Sequence, residues 1–313
     1  MRTKKQSQPL RIECGDFASF ITSRTINSRL WFVNNQDIER ICLTNLARYG
    51  EKYGVELFAF ALMGNHHHEV ARFPNLNRSS FYRDFNARLA EGVRNFVEEF
   101  EGGPLFARRF SAEALPTDQD IEEQFFYSAL QGVAEGLCEN PDDYPGYNSF
   151  HDAINGVKRV MKYTDMSAYK SRKRFNKKLT PEDFTTEHVL AFKRLPGYEH
   201  LTQREYKRLM LKKREERRLQ LVAERKAKGL GFTPPQKLLE TAPGTKPKTT
   251  KKSTRESKRP LVLTKCAEAK KIYLEWYFSI YEAYKAAVKQ YRLGHLDAKF
   301  PPGTYRPPMF VTV

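Results

Sequence analysis

The chain is poor in cysteine. Four occur in 313 residues, at Cys14, Cys42, Cys138 and Cys266, with no paired spacing. That excludes a disulfide framework and a cysteine-based zinc knuckle, and the reading expects a reduced, cytoplasmic protein. No apolar run is long enough to cross a bilayer, and Met1-Arg2-Thr3-Lys4-Lys5-Gln6 lacks the apolar segment of a secretory signal, so no membrane partner is expected. No glycine-rich, phosphate-cradling motif is present, so no ATP-driven step is expected. Acidic residues run short in one half only. Residues 1–150 carry 16 Lys and Arg against 21 Asp and Glu, whereas residues 151–313 carry 38 against 16. So cationic a half points to a polyanion, most often nucleic acid, and places most non-specific affinity there.

What is present has strong periodicity. Ser19 to Ile26 is rich in β-branched and aromatic residues and reads as a first strand. Ile38, Cys42, Leu46, Tyr49 and Tyr53 follow at helical spacing, ended by Gly54. Val55 to Met63 reads as a second strand, and His66 to Phe73 as its continuation or a hairpin partner through Gly64-Asn65. Phe81, Phe85, Leu89, Val93, Phe96 and Phe100 line one face of an amphipathic helix. Leu105 to Leu115 predicts another strand, and Thr117 to Cys138 a further helix with Thr117 as N-cap. The order predicts an α+β fold with an antiparallel sheet.

The composition divides the chain at about residue 150. Residues 151–232 read as a basic helical extension, including a charged helix from Gln203 to Lys228. Residues 233–260, rich in Pro, Thr and Lys, read as a linker or mobile arm. Residues 261–313 read as an aromatic-rich helical segment whose Tyr273, Trp276, Tyr277, Ile280, Tyr281 and Tyr284 suit core packing or base stacking.

Three consecutive histidines, His66, His67 and His68, read either as a solvated surface cluster or as part of a metal site. His66 and His68 share one face of a strand, while His67 points away. Two imidazoles on one face are suited to a divalent ion. On a later helix Tyr127 and Gln131 stand one turn apart.

Together these motifs resemble the single-tyrosine HUH transposases, which include insertion-sequence transposases acting on single-stranded DNA and their REP-associated relatives. That family carries an apolar strand running into Met-Pro-Asn-His-x-His. Here Met63-Gly64-Asn65-His66-His67-His68 follows Phe58-Ala59-Phe60-Ala61-Leu62. Phe106-Ala107-Arg108-Arg109-Phe110 resembles the family's aromatic-x-x-Arg-Phe strand. Tyr127-Ser128-Ala129-Leu130-Gln131-Gly132-Val133-Ala134-Glu135-Gly136 resembles the nucleophile helix, and Asp142 to Phe150 the usual ending. The resemblance covers about residues 15–150. It implies a ferredoxin-like HUH antiparallel sheet with helices, followed here by a mainly helical, basic C-terminal extension. The chain departs from the pattern at His67 and Glu69, usually apolar, and at Gly64, usually proline.

What the resemblance implies is a metal-dependent single-strand DNA endonuclease and strand transferase. Tyr127 would attack a phosphodiester to leave a 5′-phosphotyrosine and a free 3′-hydroxyl. His66, His68 and the amide oxygen of Gln131 would hold Mg²⁺ or Mn²⁺, with imidazole favouring Mn²⁺. Hairpin DNA is the implied partner, with Arg24, Arg29, Arg83, Arg108, Arg109, Lys158, Arg159 and Lys162 as candidate contacts, and a homodimer is one family arrangement. The alternative is a domesticated, catalytically weak or inactive binder of hairpin nucleic acid, in which His67 and Glu69 mark a decaying site. An HUH initiator or relaxase is a third reading, against which the order of motifs argues.

Overall fold

Residues 10–247 and 260–308 are described by a computed structural model. Its centre is a βαββαβ unit. Strand β1 (Ala18–Arg24) leads to helix α1 (Gln36–Tyr53), then to the hairpin of β2 (Glu56–Met63) and β3 (His66–Arg72). Helix α2 (Arg78–Phe96) returns to β4 (Ser111–Leu115). The strands pair antiparallel in the order β2-β3-β1-β4, the ferredoxin-like arrangement. The histidine segment is thus the hairpin partner of β2, one of the two outcomes its sequence left open.

Local chemistry fixes these elements. The Asn35 side chain accepts from the Ile38 N–H at 3.0 Å to start α1, and Gly54 ends it at φ +64°. On α2, Phe81, Phe85, Leu89 and Val93 are fully buried, while Phe96 turns out to solvent. Helices α1 and α2 cover one face of the sheet. The other face is covered by α3 (Asp118–Ala129), which starts from a Thr117–Asp120 capping box.

Two sequence-based boundaries change. Only Ser111–Leu115 of the expected 105–115 strand pairs with β1. Residues 105–110 instead loop around the end of β1, with Phe106 bridging Thr25 and the Ala107 N–H donating to the Arg24 carbonyl at 3.0 Å. The helix expected over 117–138 breaks at Leu130, and α4 (Gln131–Ala134) follows. The Asn148 amide donates to the Ser128 and Ala129 carbonyls at 3.2 and 3.3 Å, which takes acceptors from the next helical turn.

The extension is mainly helical, with one ribbon among its helices. Helix α5 (Phe150–Asn155) precedes a two-stranded antiparallel ribbon, β5 (Lys158–Thr164) and β6 (Thr185–Ala191), with α6 (Met166–Lys173) between the strands. Helix α7 (Gln203–Ala227) follows. Phe150, Ile154, Leu190, Phe192, Leu195, Tyr206 and Met210 join the same apolar core as the four-stranded sheet, so that core crosses the compositional boundary at residue 150. Of the segment read as a linker or mobile arm, residues 248–259 lie outside the described residues. Residues 233–247 carry α8 (Pro235–Leu239) and are tied down. The Asn34 amide donates to the carbonyls of Leu238, Leu239 and Thr241, and the Leu30 N–H donates to the Thr245 carbonyl.

Leu261 and Leu263 hydrogen-bond to the backbone of Ala114 and cover the outer edge of β4. In α9 (Ala267–Arg292) Tyr273 and Tyr277 are buried. Tyr273 packs edge-on to Phe17, and the Tyr277 hydroxyl donates to the Leu10 carbonyl. No helix among the described residues is long and apolar enough to cross a membrane.

Candidate metal and nucleophile site

Antiparallel pairing puts Thr22 opposite His68 and Arg24 opposite His66. Alternation along β3 sends His66 and His68 to the α3 side of the sheet, where their rings meet edge-on at 4.5 Å between centroids. One nitrogen of each ring is already engaged. His68 Nδ1 lies 2.9 Å from the Thr22 hydroxyl, and His66 Nδ1 lies 2.6 Å from Oδ1 of Asn65. The other nitrogen, Nε2 in both, is buried and has no hydrogen-bond partner. The Gln131 amide oxygen, Oε1, shares that condition.

Three buried, unsatisfied acceptors on the residues implied as ligands call for an explanation, because each forgoes the free energy of a hydrogen bond. A cation coordinated by all three would supply it. The donors, two imidazole nitrogens and one amide oxygen, suit Mn²⁺ and accommodate Mg²⁺. Thr22 and Asn65 engage the Nδ1 atoms, so Nε2 of each imidazole is the nitrogen left for a ligand. Among the described residues no group of three or more His, Cys, Asp or Glu is placed to hold a metal, so the set depends on the Gln131 amide.

Electrostatics keep both imidazoles neutral. Burial pushes the His68 pKa down to about 3, and the nearby His67 and Arg24 add to the effect. His66 is held well below its ordinary value by burial first, then by His68, Arg24 and His67. A neutral imidazole is the form that binds a metal ion.

Tyr127 stands beside this cluster. Its ring packs edge-on against His68 at 5.7 Å and against Phe20 at 5.5 Å, yet it remains 43% exposed. The helix break at Leu130 leaves Gln131 buried and Tyr127 open to solvent within one turn. The tyrosine helix is also pinned from outside by α7. Arg217 pairs with Glu123 at 2.9 Å, and Lys213 pairs with Glu122 at 2.7 Å. The Arg225 guanidinium donates to the Ala134 carbonyl.

The candidate DNA contacts divide by position. Arg24 lines a cavity of about 310 Å³ together with His66, Asn65, Tyr144 and Leu238. Arg108 and Arg109 are exposed on the loop that wraps the end of β1, one strand from His66. Arg29 donates to the Gly244 carbonyl at 3.2 Å, and Arg83 binds Asp84 on the outside of α2, across the sheet from the histidines. Lys158, Arg159 and Lys162 lie on β5, where Arg159 is bound to Asp152 and Lys162 faces Glu187 at 3.6 Å. The structure therefore brings Arg24 to the histidines, places Arg108 and Arg109 on an exposed loop at the end of β1, and leaves Arg83, Lys158, Arg159 and Lys162 elsewhere.

Sequence reasoning missed Thr22, Phe20 and the α7 cations. Asn65, next to His66, was within reach of it. The others depend on strand register and on packing between distant segments.

No family model and no curated protein matches the chain. Among solved structures it is similar to a REP-associated tyrosine transposase bound to a REP hairpin, at 17% identity and a TM-score of 0.40, over 47% of this chain and 84% of that one.

Proposed function

We propose that the protein is a metal-dependent single-strand DNA endonuclease and strand transferase with Tyr127 as nucleophile. The observation that carries this reading is the pair of unsatisfied buried nitrogens, His66 Nε2 and His68 Nε2, beside the half-exposed Tyr127, with the unsatisfied Gln131 Oε1 four residues on from that tyrosine.

The residues divide the work. The phenol oxygen of Tyr127 forms a bond to phosphorus as the bond from phosphorus to the 3′ oxygen breaks. The strand is left with a 3′-hydroxyl and the enzyme with a 5′-phosphotyrosine. The phenol proton leaves to solvent, to which the ring is open, and the departing 3′ oxygen takes one up. His66, His68 and Gln131 would hold Mg²⁺ or Mn²⁺, which when bound withdraws charge from a phosphate oxygen. Phe20 and His68 pack against the Tyr127 ring and fix its approach. Arg24, Arg108 and Arg109 offer cationic groups to the flanking phosphates. Because the tyrosyl linkage is itself a phosphodiester, a second 3′-hydroxyl can reverse the step and join a new strand without ATP.

The second reading, an inactive hairpin binder, drew on His67 and Glu69 as marks of decay. Both are packed in the interior on the α2 side of the sheet and leave the candidate ligands untouched.

The test is covalent capture. A labelled single-stranded oligonucleotide spanning the cognate cleavage position, with Mn²⁺, should yield a protein–DNA adduct that Tyr127→Phe abolishes while binding persists. An adduct that survives Tyr127→Phe would overturn the assignment.

A further inference from the structure

The tip of the β5–β6 ribbon carries six basic side chains within nine residues: Lys170, Arg172, Lys173, Arg174, Lys177 and Lys178. Every residue from 170 to 178 is exposed, and residues 166–180 contain no Asp or Glu. The contrast with α7 is informative. There three of the cations are matched by acids of other segments, Lys213 with Glu122, Arg214 with Asp142 and Arg217 with Glu123. At the tip, like charges crowd together, and the flanking acids Asp165 and Asp183 are taken up in capping helical turns, so the crowding is unfavourable in isolation.

The tip is also held in shape. Asp165 caps α6 by accepting from the Ala168 N–H at 2.9 Å, and Tyr169 packs on Phe184 beneath it. Past α6 the N–H groups of Phe175 and Asn176 both donate to the Arg172 carbonyl, and the Asn176 side chain accepts from the Lys178 N–H. In this turn Phe175 is 88% exposed. The ribbon beneath is fixed to α1. Glu51 accepts from the Val189 N–H at 2.6 Å and contacts His188, while Arg48 stacks on Tyr163. A cluster of cations around one exposed ring, on an ordered support, matches the chemistry of a nucleic-acid strand. Cations meet the phosphates, and a base stacks on the ring.

We propose that the α6 tip is a second nucleic-acid contact, distinct from the His66–His68–Tyr127 site. The ribbon docks on α1, whereas His66 and His68 face α3, so the tip would hold nucleic acid away from the reacting phosphate. This rests on the reading of the protein as one that acts on DNA. An anionic membrane is the less favoured partner, because Phe175 is the one apolar side chain among residues 170–178.

The experiment uses the full chain and two labelled probes, a hairpin with a single-stranded flank and an unstructured oligonucleotide of equal length. The combined variant R172A/R174A/K177A/K178A should bind the hairpin at least about tenfold more weakly at moderate salt. Its plot of log affinity against log salt should be shallower by about 2 to 4. The charge-keeping variant R172K/R174K should retain the wild-type slope. Phe175→Ala should weaken binding of unpaired DNA by about tenfold without changing the slope. Because all these side chains are exposed, thermal unfolding should match wild type and exclude a folding defect. An unchanged slope and affinity for both probes overturns the proposal. So does loss of binding to phosphatidylserine vesicles in the combined variant with DNA binding intact. Loss confined to one probe identifies the stem or the single strand as the ligand. Adduct formation by the wild-type protein reports separately on the catalytic reading, so either can fail alone.

Discussion

His67 and Glu69 meet inside the protein, Nδ1 to Oε1 at 3.0 Å, on the face of β3 turned away from His66 and His68. Both side chains are fully buried, and the contact falls short of full hydrogen-bond geometry. The rest of each group is engaged. The Tyr82 hydroxyl donates to Oε2 of Glu69, and Nε2 of His67 lies 3.2 Å from Oδ1 of Asn86, whose amide donates to the Ser23 hydroxyl. Burial raises the Glu69 pKa, and His67 opposes that rise. Two polar residues that look misplaced in a core strand thus partner each other and the facing helix, as buried polar groups must.

Removing one partner should therefore cost stability. Glu69→Gln is expected to lower unfolding free energy by about 1–3 kcal/mol, and Glu69→Ala by more, since it strands the Tyr82 hydroxyl and opens a cavity. Urea unfolding measures both. Wild-type stability in both variants would show that the network contributes nothing.

Thr22 should matter to the metal without touching it. Its hydroxyl holds Nδ1 of His68, so Thr22→Val frees the ring to turn. Affinity for Mn²⁺ should fall by about 10- to 100-fold, and Thr22→Ser should retain it. Calorimetric titration with Mn²⁺ decides. Equal affinity in Thr22→Val would remove Thr22 from the site.

Gly64 has a reason to be glycine. A Cβ there would stand 2.7 Å from Cγ1 of Val33 and 3.0 Å from Cδ2 of Leu30, and the Gly64 N–H donates to the Tyr144 hydroxyl at 3.0 Å. Gly64→Ala should cost about 1–3 kcal/mol, and Gly64→Pro more, because proline also lacks the donor. Thermal unfolding of both variants tests this. A stabilised Gly64→Pro protein would contradict the packing.

The metal-free protein should weaken in mild acid. His66 and His68 have folded pKa values below the ordinary 6.5, so the unfolded chain binds protons first as pH falls. Their contribution is complete above pH 6.5 and is lost progressively toward about 3, the folded value for His68. The slope is at most about 1.4 kcal/mol per pH unit for each histidine. Glu69 acts oppositely, since its raised pKa lets the folded state take up a proton first. The informative quantity is therefore the difference in slope between wild type and His68→Asn. Parallel stability curves between pH 7 and 5 would refute the depressed pKa of His68.

How much of this was legible in the sequence depends on the range of each interaction. The α1 register and the Thr117 cap are set by neighbours in the chain and were readable from period and turn chemistry, whereas the β2–β3 hairpin was one of two outcomes that Gly64-Asn65 left open. The two faces of β3 followed from alternation alone, which separated His67 from His66 and His68. Partners across the fold were not readable. That Asn86 and Tyr82 wait for His67 and Glu69, or that Asn148 breaks the helix at Leu130, depends on segments brought together by packing. The β5–β6 ribbon was missed because Lys158-Arg159-Val160-Met161-Lys162 sits in a stretch whose charge dominated its pattern. The ties of residues 233–247 were missed because Pro, Thr and Lys composition says nothing of a distant Asn34.

The ion pairs between α7 and α3 have a consequence for valency. They clamp the tyrosine-bearing helix against the same chain that supplies His66, His68 and Gln131. The proposed nucleophile Tyr127 and the candidate ligand His68 thus meet within one chain. On the proposed reading, an assembly of chains in this arrangement would hold one whole centre in each. Mixing Tyr127→Phe with His66→Ala protein would then restore nothing that either had lost.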